Sequence, residues 1–388
     1  MELQYANRLN GLSGNAIREI FKLLAKDSII SFAGGMPAGN TFPSEELARL
    51  SHDILLTNGA KVLQYGETEG WLPLKESALD YLHTLGIEAQ SDELLIITGG
   101  QQGIDLLCKA FINPGDTILV ENPTFLGAMH TMRTYEANII PVDMEDDGVD
   151  LEQLELKLKK YAPKLLYLIP TFQNPTGKTL SLQKRKIIPA LAAKYNCVVI
   201  EDDPYRALRY RGEELPFLKQ FDADNNVIYV ASFSKVISPG MRVGVAAGNR
   251  DIIRKMAIGK QAADVHTPIL TQALVDAYLR EGLLDVHIKV CIADYTIKKN
   301  AMQQAIWDSF PQGVKVTDPD GGLFIWAELP EHIHTLPLLE RAVEKNVAFI
   351  PGEHFFADGS GKNTMRLNFS NASVEKIHQG IRALASIL

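Results

Sequence analysis

The sequence predicts an α/β protein in which a large domain, with a mostly parallel sheet between helices, is joined to a smaller α+β domain. From about residue 93 to 280, short apolar runs alternate with amphipathic helical runs, which is typical of a parallel sheet covered on both faces. After residue 280 the pattern changes to long helical stretches and a hairpin. We therefore expect a large domain over residues 40–280 and a small domain built from residues 1–39 and 281–388.

The strand-like runs of the expected large domain are short, apolar and rich in β-branched residues. They cover, in order, residues 94–97, 117–120, 137–140, 165–169, 197–200 and 227–231. Helical periodicity between them covers residues 101–111, 126–135, 181–195 and 250–258. Because strands that are buried on both faces lack the alternation of half-exposed ones, these runs predict the centre of the sheet.

The C-terminal part of the chain predicts a smaller unit with both helices and strands. Residues 263–307 are mostly helical, and a turn at 318–322 joins two apolar runs into a hairpin. A helix, two strands and a closing helix are expected over residues 336–345, 347–350, 365–369 and 373–387. We expect the N-terminal arm to pack against this unit or against a partner subunit.

Composition and charge exclude several classes of function. With 46% hydrophobic and 22% charged residues, the 388-residue chain has the composition of a soluble globular protein. Its net charge of −8 argues against nucleic-acid binding, no apolar run approaches the ~20 residues of a membrane span, and the N-terminus lacks a signal-peptide pattern. Cys108, Cys197 and Cys291 are far apart, which favours buried reduced thiols in the cytoplasm over a disulfide or a metal site.

Residues 232–235, Ser-Phe-Ser-Lys, follow an apolar run and precede Arg242. A lysine becomes a nucleophile when cationic neighbours or desolvation depress its pKa, and hydroxyl and guanidinium groups are suited to hold a phosphate. The segment therefore predicts pyridoxal phosphate, a phosphorylated aldehyde, bound covalently at Lys235. Taken alone, it leaves open a solvated surface lysine.

A second phosphate loop is predicted at residues 98–103, Thr-Gly-Gly-Gln-Gln-Gly, between a strand-like run and a helix. Glycines let backbone N–H groups approach a phosphate, and the N-terminus of a helix favours an anion. An ordinary strand–helix turn is the alternative. The loop is not the dinucleotide fingerprint, because Thr98 stands where that motif needs its first glycine, so an NAD-linked function is disfavoured.

Residues 171–177 follow the run at 165–169 and place Asn174 directly before a proline. The residue before a proline is held extended, so the Asn174 amide is expected to project in a fixed direction; a plain turn is the alternative. The Gly-Lys-Thr at 177–179 imitates the end of a P-loop, but Phe172 stands where that motif needs a glycine.

Neighbouring acids follow the run at 197–200. A carboxylate at the end of a buried strand needs a partner, and for one of the acids at 201–203 we predict the protonated nitrogen of a pyridine ring, which would keep that ring cationic. No metal is predicted, because adjacent side chains of a strand diverge and no histidine is near in the sequence. A helix cap or solvated turn acids are the alternative.

Arg366 lies in a strand-like stretch, 365–369, whose apolar residues point one way while the arginine points the other. It is expected either to face solvent or to bind a substrate carboxylate through two hydrogen bonds. Ligands of open parallel sheets bind beyond the carboxyl ends of the strands. Since the candidate segments of the large domain all follow strand-like runs, we expect them to converge on one site.

Taken together, these segments resemble class I/II aminotransferases, the fold-type I pyridoxal-phosphate enzymes. The resemblance runs from about residue 13 to the C-terminus and is closest to the subgroup of 2-aminoadipate, kynurenine and aromatic aminotransferases. Six residues stand in the order of the family's motifs: Asn174, Asp202, Tyr205, Lys235, Arg242 and Arg366. Several motifs in one order are far more specific than any one of them.

The resemblance implies a role for each residue at the cofactor. Lys235 would form the Schiff base with pyridoxal phosphate and later shuttle a proton, and Asp202 would pair with the pyridine nitrogen. The other implied cofactor contacts are Asn174 and Tyr205 to the phenolic oxygen, Phe125 stacked on the ring, and Gly100, Gln101, Ser232, Ser234 and Arg242 at the phosphate. Tyr65 would reach in from the partner subunit of a homodimer, unless it is a buried core residue.

The resemblance also implies the substrate contacts. Arg366 and Asn174 would bind the α-carboxylate, beside the backbone of Gly35. Arg18, on an N-terminal helix with an apolar stripe, would either meet an acidic substrate side chain or face solvent. The expected activity is a ping-pong transfer of an amino group from an aromatic, 2-aminoadipate-like or branched L-amino acid to a 2-oxo acid, with 2-oxoglutarate expected as the acceptor.

Shared cofactor motifs leave open a lyase, a decarboxylase or a racemase on the same fold. Regulators that fuse a DNA-binding module to an aminotransferase-like domain are disfavoured, because the region that resembles the family begins within about the first twenty residues.

Overall fold

The computed structural model describes residue 3, residues 5–9 and residues 28–388, so Arg18 lies outside the described residues. The strands are β1 (Ile30–Ser31), β2 (Leu94–Ile97), β3 (Thr117–Asn122), β4 (Asn138–Glu145), β5 (Gly148–Val149), β6 (Leu165–Leu168), β7 (Val198–Asp203), β8 (Val227–Ser232), β9 (Gly244–Ala247), β10 (Lys315–Val316), β11 (Phe324–Glu328), β12 (Val347–Ala348), β13 (Ile350–Pro351) and β14 (Thr364–Asn368). The helices are α1 (Ser44–Val62), α2 (Leu72–Thr84), α3 (Gly100–Phe111), α4 (Leu126–Thr134), α5 (Leu151–Tyr161), α6 (Leu182–Lys194), α7 (Arg250–Asp264), α8 (Ile269–Arg280), α9 (Leu283–Ser309), α10 (Thr335–Glu344) and α11 (Val374–Ala385). None of these helices combines the length and the apolar character that a membrane span requires.

In the described part of the chain, an eight-stranded sheet has the order β2–β9–β8–β7–β6–β3–β4–β5. Strands β8, β7, β6, β3 and β4 run parallel to one another, whereas β9 is antiparallel to both of its neighbours. Every residue of β2, β6 and β9 is buried. Because the parallel strands end at one edge of the sheet, the residues that follow β6, β7 and β8 meet there.

Helices cover both faces of this sheet, which explains why its strands are continuously apolar. In β2, Leu95 and Ile97 pack in the same cluster as α3, whereas Leu94 and Ile96 pack in the same cluster as α2. Helices α4 and α7 lie against α3, and α1 and α8 contact each other on the side of α2. A strand between two such layers buries all of its side chains, so the period of two disappears from its sequence.

A smaller antiparallel sheet has the order β10–β11–β14–β13, and the long helix α9 packs against the closing helix α11. Together with the large sheet it confirms the predicted fold class. The parallel pairing of β1 with β12 ties residues 30–31 to the C-terminal part of the chain. The domain bounds at residues 40–280 stay a prediction.

The structure corrects one strand. The sequence predicts a single strand over residues 347–350, but two short strands, β12 and β13, occupy this region and belong to different sheets. Residues 347–351 are all buried, so the apolar run does not show that its two halves pair with different strands. The change is important for the site, because β12 holds the N-terminal segment through β1, while β13 pairs with the strand that carries Arg366.

Candidate active site

A cavity of about 340 Å³ lies beyond the carboxyl ends of β7 and β8, beside the N-terminus of α3. Of the predicted site residues that the structure describes, all line it except Tyr65. They are Gly35, Gly100, Gln101, Phe125, Asn174, Asp202, Tyr205, Ser232, Ser234, Lys235, Arg242 and Arg366. Segments that are far apart in the sequence therefore meet at one place, as expected for ligand sites of open α/β sheets.

Lys235 lies just after β8, and its side chain reaches across the cavity. Its Nζ donates a 2.6 Å hydrogen bond to the carbonyl oxygen of Gly35. Burial, with Arg366 and Arg242 nearby, lowers the pKa of the Lys235 ammonium to about 8. A substantial fraction of this amine is therefore neutral near physiological pH, which is the form that attacks an aldehyde.

Asp202 is the second-last residue of β7, and its side chain lines the cavity. A Cβ placed on Gly100 would lie 3.6 Å from its Oδ1, so the glycine leaves free the space beside this oxygen. Burial raises the pKa of Asp202 to about 7. The next residue, Asp203, does not line the cavity; it accepts a hydrogen bond from Tyr229. The two acids diverge, as the alternation of side chains along a strand requires.

One end of the cavity gathers donors for an anion. Arg242 donates to the Thr98 carbonyl at 2.9 Å and to Ser234 Oγ at 3.2 Å, and Ser232 donates to Ser234. Gly99 precedes α3 with a φ of +79°, and a Cβ there would lie 2.3 Å from Arg242 Nη2, so glycine is required. The first N–H groups of α3 have no acceptor within the helix, which makes this end suited to a phosphate.

Gln101 is the second residue of α3 and lines the cavity. Its side-chain amide is turned aside, since Nε2 donates to the Gly127 carbonyl and to Thr131 Oγ1. The phosphate contact of Gln101 stays a prediction, and with this side-chain arrangement the main-chain N–H is the donor that would make it.

Arg366 marks the opposite end of the cavity. It is only 5% exposed, and its guanidinium lies 4.2 Å from the Phe324 ring centre and 4.9 Å from that of Phe355. It donates to Asn174 Oδ1 at 2.8 Å and to the Ala33 carbonyl at 2.7 Å. No carboxylate pairs with it among the described residues, and burial lowers its pKa to about 10. The solvent-facing alternative is thus excluded.

Asn174 and Tyr205 connect the middle of the cavity to this arginine. Asn174 accepts from Arg366 through its oxygen and donates from Nδ2 to the Tyr205 hydroxyl at 3.4 Å. Both residues are buried, and the Tyr205 ring packs edge-on against Phe324. The amide is therefore fixed in direction, and it orients a phenol at the centre of the site.

Tyr65 is not part of this cavity. Its side chain is 82% exposed and contacts His266 edge to face, with ring centres 5.9 Å apart. The alternative of a buried core tyrosine is wrong. Its predicted action across a dimer stays a prediction.

Sequence reasoning missed two buried residues below the site. Tyr167 donates a 2.6 Å hydrogen bond to Asp202 Oδ2, and Glu121 accepts from the Ile169 N–H and from Gln173. Burial raises the pKa of Glu121 to about 8. Glu121 carries the same signal as Asp202, an acid after an apolar run, whereas Tyr167 lies inside a run and has no flanking signal.

The fold and the site together define a fold-type I enzyme with a buried lysine of lowered pKa at the carboxyl edge of its sheet. The chain belongs to the class I and II aminotransferases, since the family described as "Aminotransferase class I and II" matches residues 28–384. This membership confirms the predicted family, enzyme class, amino-transfer activity and pyridoxal phosphate cofactor.

Individual relatives cover nearly the whole chain. An aromatic-amino-acid aminotransferase of Thermococcus litoralis is 40% identical over 100% of this chain and 94% of its own length. The crystal structure of Pyrococcus horikoshii kynurenine aminotransferase in complex with PMP has a TM-score of 0.95 and 40% identity, covering 99% of this chain and 96% of the other. That of an alpha-aminoadipate aminotransferase from Thermus thermophilus, complexed with N-(5'-phosphopyridoxyl)-L-leucine, has a TM-score of 0.92 and 38% identity, covering 99% and 97%.

Proposed function

We propose that this aminotransferase moves the amino group of an aromatic, 2-aminoadipate-like or branched L-amino acid to a 2-oxo acid such as 2-oxoglutarate, in two half-reactions at one site. The observation that carries the proposal is that Lys235, Asp202 and Arg366 line the same cavity. The wall between them includes Met36, Leu126 and Ile350, which suits an apolar donor side chain. Relatives that act on aromatic amino acids, kynurenine and aminoadipate support the same range.

The residues present fit pyridoxal phosphate. The donor cluster of Arg242, Ser232, Ser234 and α3 would hold the phosphate, and the space beside Asp202 that Gly100 leaves free would take the ring. Phe125 would cover the ring, and Asn174 with Tyr205 would bind its phenolic oxygen. When bound, the cofactor supplies an electron sink for the bond that breaks at the substrate's α-carbon.

The protein's own groups then do three things. Arg366 binds the α-carboxylate of the substrate and, with Asn174, orients the α-carbon. Lys235 Nζ, lowered in pKa to about 8, takes and returns the α-proton as a general base and acid. Asp202, in its ionised form, stabilises positive charge on the pyridine nitrogen. The buried walls exclude water and so strengthen these interactions.

We also propose a homodimer. Tyr65, its sequence neighbours Leu63 and Leu72, and Val265, which precedes the ring partner His266, remain exposed. Exposed apolar patches mark protein–protein contacts. Tyr65 lies outside the cavity of its own chain, so a partner's cavity is the site that it would reach. The three buried free cysteines suit a reducing compartment such as the cytoplasm.

Lys235→Ala in purified protein tests the proposed function. We expect loss of the visible absorbance of the bound cofactor and a fall in turnover of at least roughly 10³-fold, because both the covalent attachment and the proton transfer are removed. Lys75→Ala is the matched control, since Lys75 is a buried lysine of lowered pKa outside the cavity. Normal absorbance and turnover in Lys235→Ala contradict the proposal.

A donor panel separates amino transfer from lyase or decarboxylase chemistry. We expect each good donor to convert the cofactor to its pyridoxamine form with release of a 2-oxo acid and without release of ammonia or carbon dioxide. Aromatic, branched and acidic amino acids are compared by kcat/KM in the wild type and in Arg18→Ala. A loss confined to acidic donors in that variant supports the proposed contact of Arg18 with an acidic side chain.

A further inference from the structure

The two carboxyl oxygens of Asp202 have different surroundings. Oδ1 faces the cavity beside Gly100, whereas Oδ2 accepts a 2.6 Å hydrogen bond from the Tyr167 hydroxyl. We propose that Tyr167 is a positioning residue for the cofactor, which by holding Oδ2 aims Oδ1 at the pyridine nitrogen and keeps the carboxylate ionised. This inference rests on the role proposed for Asp202 and adds a residue to it.

The place of Tyr167 in the sheet suits this role. Tyr167 stands opposite Ile200 in the pairing of β6 with β7, and Asp202 follows Ile200 by two residues. Side chains two residues apart on a strand point to the same face, so the phenol and the carboxyl lie side by side. Tyr167 is fully buried, which holds its hydroxyl in place from below the cavity.

The direction of the hydrogen bond follows from the charges. Burial and the nearby Asp202 raise the pKa of Tyr167 well above its ordinary value, so the hydroxyl keeps its proton and donates. At Asp202, burial raises the pKa to about 7, and the bond from Tyr167 opposes this rise. Without the hydroxyl a larger fraction of the carboxyl is protonated at neutral pH, and a protonated carboxyl cannot form an ion pair with a pyridinium.

The neighbouring strand offers a matched control. Tyr229, on β8, is also buried and donates a 3.0 Å hydrogen bond to Oδ2 of Asp203. Asp203 does not line the cavity. Removing the hydroxyl from Tyr229 therefore breaks the same kind of bond without touching the carboxyl that faces the cofactor.

Holoenzymes of the wild type, Tyr167→Phe, Tyr229→Phe and Asp202→Asn are dialysed against decreasing pyridoxal phosphate, and the Kd is measured by visible absorbance over a range of pH. We expect the Kd to rise roughly 10-fold in Tyr167→Phe, the value of a hydrogen bond to a charged group, to stay unchanged in Tyr229→Phe, and to rise at least as far in Asp202→Asn. The loss in Tyr167→Phe is expected to grow as pH falls. The double variant Tyr167→Phe/Asp202→Asn is expected to bind no more weakly than Asp202→Asn.

Each other result overturns a specific statement. An unchanged Kd in Tyr167→Phe with a raised Kd in Asp202→Asn removes the role of Tyr167 and leaves the proposed function standing. An unchanged Kd in Asp202→Asn removes the role of Asp202 itself. Equal weakening in the two tyrosine variants reduces Tyr167 to a packing residue. If Tyr167→Phe fails to fold, 3,5-difluorotyrosine at position 167 keeps the hydroxyl and makes it a stronger donor; tighter cofactor binding is then expected, and an unchanged Kd overturns the inference.

Discussion

The two ends of the cavity each present an arginine, and the two arginines are held in opposite ways. Arg242 is exposed, and its guanidinium is fixed by the Thr98 carbonyl and the Ser234 hydroxyl. Arg366 is buried between aromatic rings, where it donates to Asn174 and to the Ala33 carbonyl. Among the described residues, neither arginine has a carboxylate partner within ion-pair distance.

Only one of the two ends is stabilised mainly by an anionic ligand. Water screens the charge of Arg242, so an unpaired cation costs little there. A buried cation without a counter-ion is costly, and the lowered pKa of Arg366 expresses that cost. A substrate carboxylate therefore stabilises the buried end most, because it supplies the missing counter-ion of Arg366. The exposed end would bind the cofactor phosphate through several donors, and Arg242 is only one of them.

The largest effect is expected for Arg366→Gln. Its kcat/KM for amino acids should fall roughly 10²–10³-fold, the range for truncating one partner of a buried charge pair, while the Kd of pyridoxal phosphate stays close to that of the wild type. The melting temperature of the cofactor-free protein should change little, because the removal of an unpaired buried cation offsets the loss of its hydrogen bonds to Asn174 and Ala33. Steady-state kinetics, dialysis and thermal unfolding measure the three quantities.

Arg185→Gln is the matched control for stability. Arg185 is also fully buried, but its guanidinium donates to three carbonyl oxygens and to Thr171. Its loss leaves buried acceptors unpaired and should lower the melting temperature. If Arg366→Gln lowers the melting temperature as much as Arg185→Gln, Arg366 stabilises the fold. It is then not a destabilising buried cation that is kept to bind a substrate carboxylate.

A smaller effect is expected for Arg242→Gln. The Kd of pyridoxal phosphate should rise about 10-fold, toward the lower part of the range for a charge-assisted hydrogen bond, because Ser232, Ser234 and the start of α3 remain. At saturating cofactor, the KM for the amino acid should stay near the wild-type value. If Arg242→Gln raises the KM for the amino acid and leaves the Kd of pyridoxal phosphate unchanged, Arg242 binds the substrate and not the cofactor phosphate.

The sequence predicted most of this site because its residues come directly after buried strands. Asp202 and Lys235 each follow a continuous apolar run, so the edge at which they meet is a consequence of parallel topology. For Arg366 the sequence allows two interpretations, since alternation along β14 says only that its side chain points away from those of its neighbours. Phe324 and Phe355, which cover that face, lie far from one another in the chain, and no local pattern reports such contacts.

Two features could not be predicted for different physical reasons. A tyrosine in a buried strand is as apolar in pattern as its neighbours, so the hydroxyl of Tyr167 gave no signal until β6 and β7 were in register. The division of residues 347–351 between two sheets depends on hydrogen-bond partners at opposite ends of the chain. Glu121, by contrast, carries the same sequence signal as Asp202, an acid after an apolar run, and that signal is enough to find it.

The smallest expected difference concerns Lys235, which is influenced by both arginines. Burial lowers its pKa to about 8, and Arg366 contributes more to this than Arg242. Because the folded pKa lies below the ordinary 10.5, folding disfavours the protonated amine, and the cofactor-free protein gains stability as pH rises from about 8 towards 10.5. The neutral amine of Lys235 is the form that attacks the aldehyde of pyridoxal phosphate. The rate at which the cofactor-free protein binds pyridoxal phosphate should therefore increase as pH rises through 8.

The midpoint of this pH profile should move up in both arginine variants, by less than about one unit, and further in Arg366→Gln than in Arg242→Gln. Stopped-flow visible absorbance at matched ionic strength measures the two midpoints. Added salt should reduce the shift in Arg242→Gln more, because the exposed charge is screened and the buried one is not. A larger shift in Arg242→Gln would mean that the exposed arginine has the greater effect on the pKa of Lys235. The two arginines would then differ only in the ligand group that each binds.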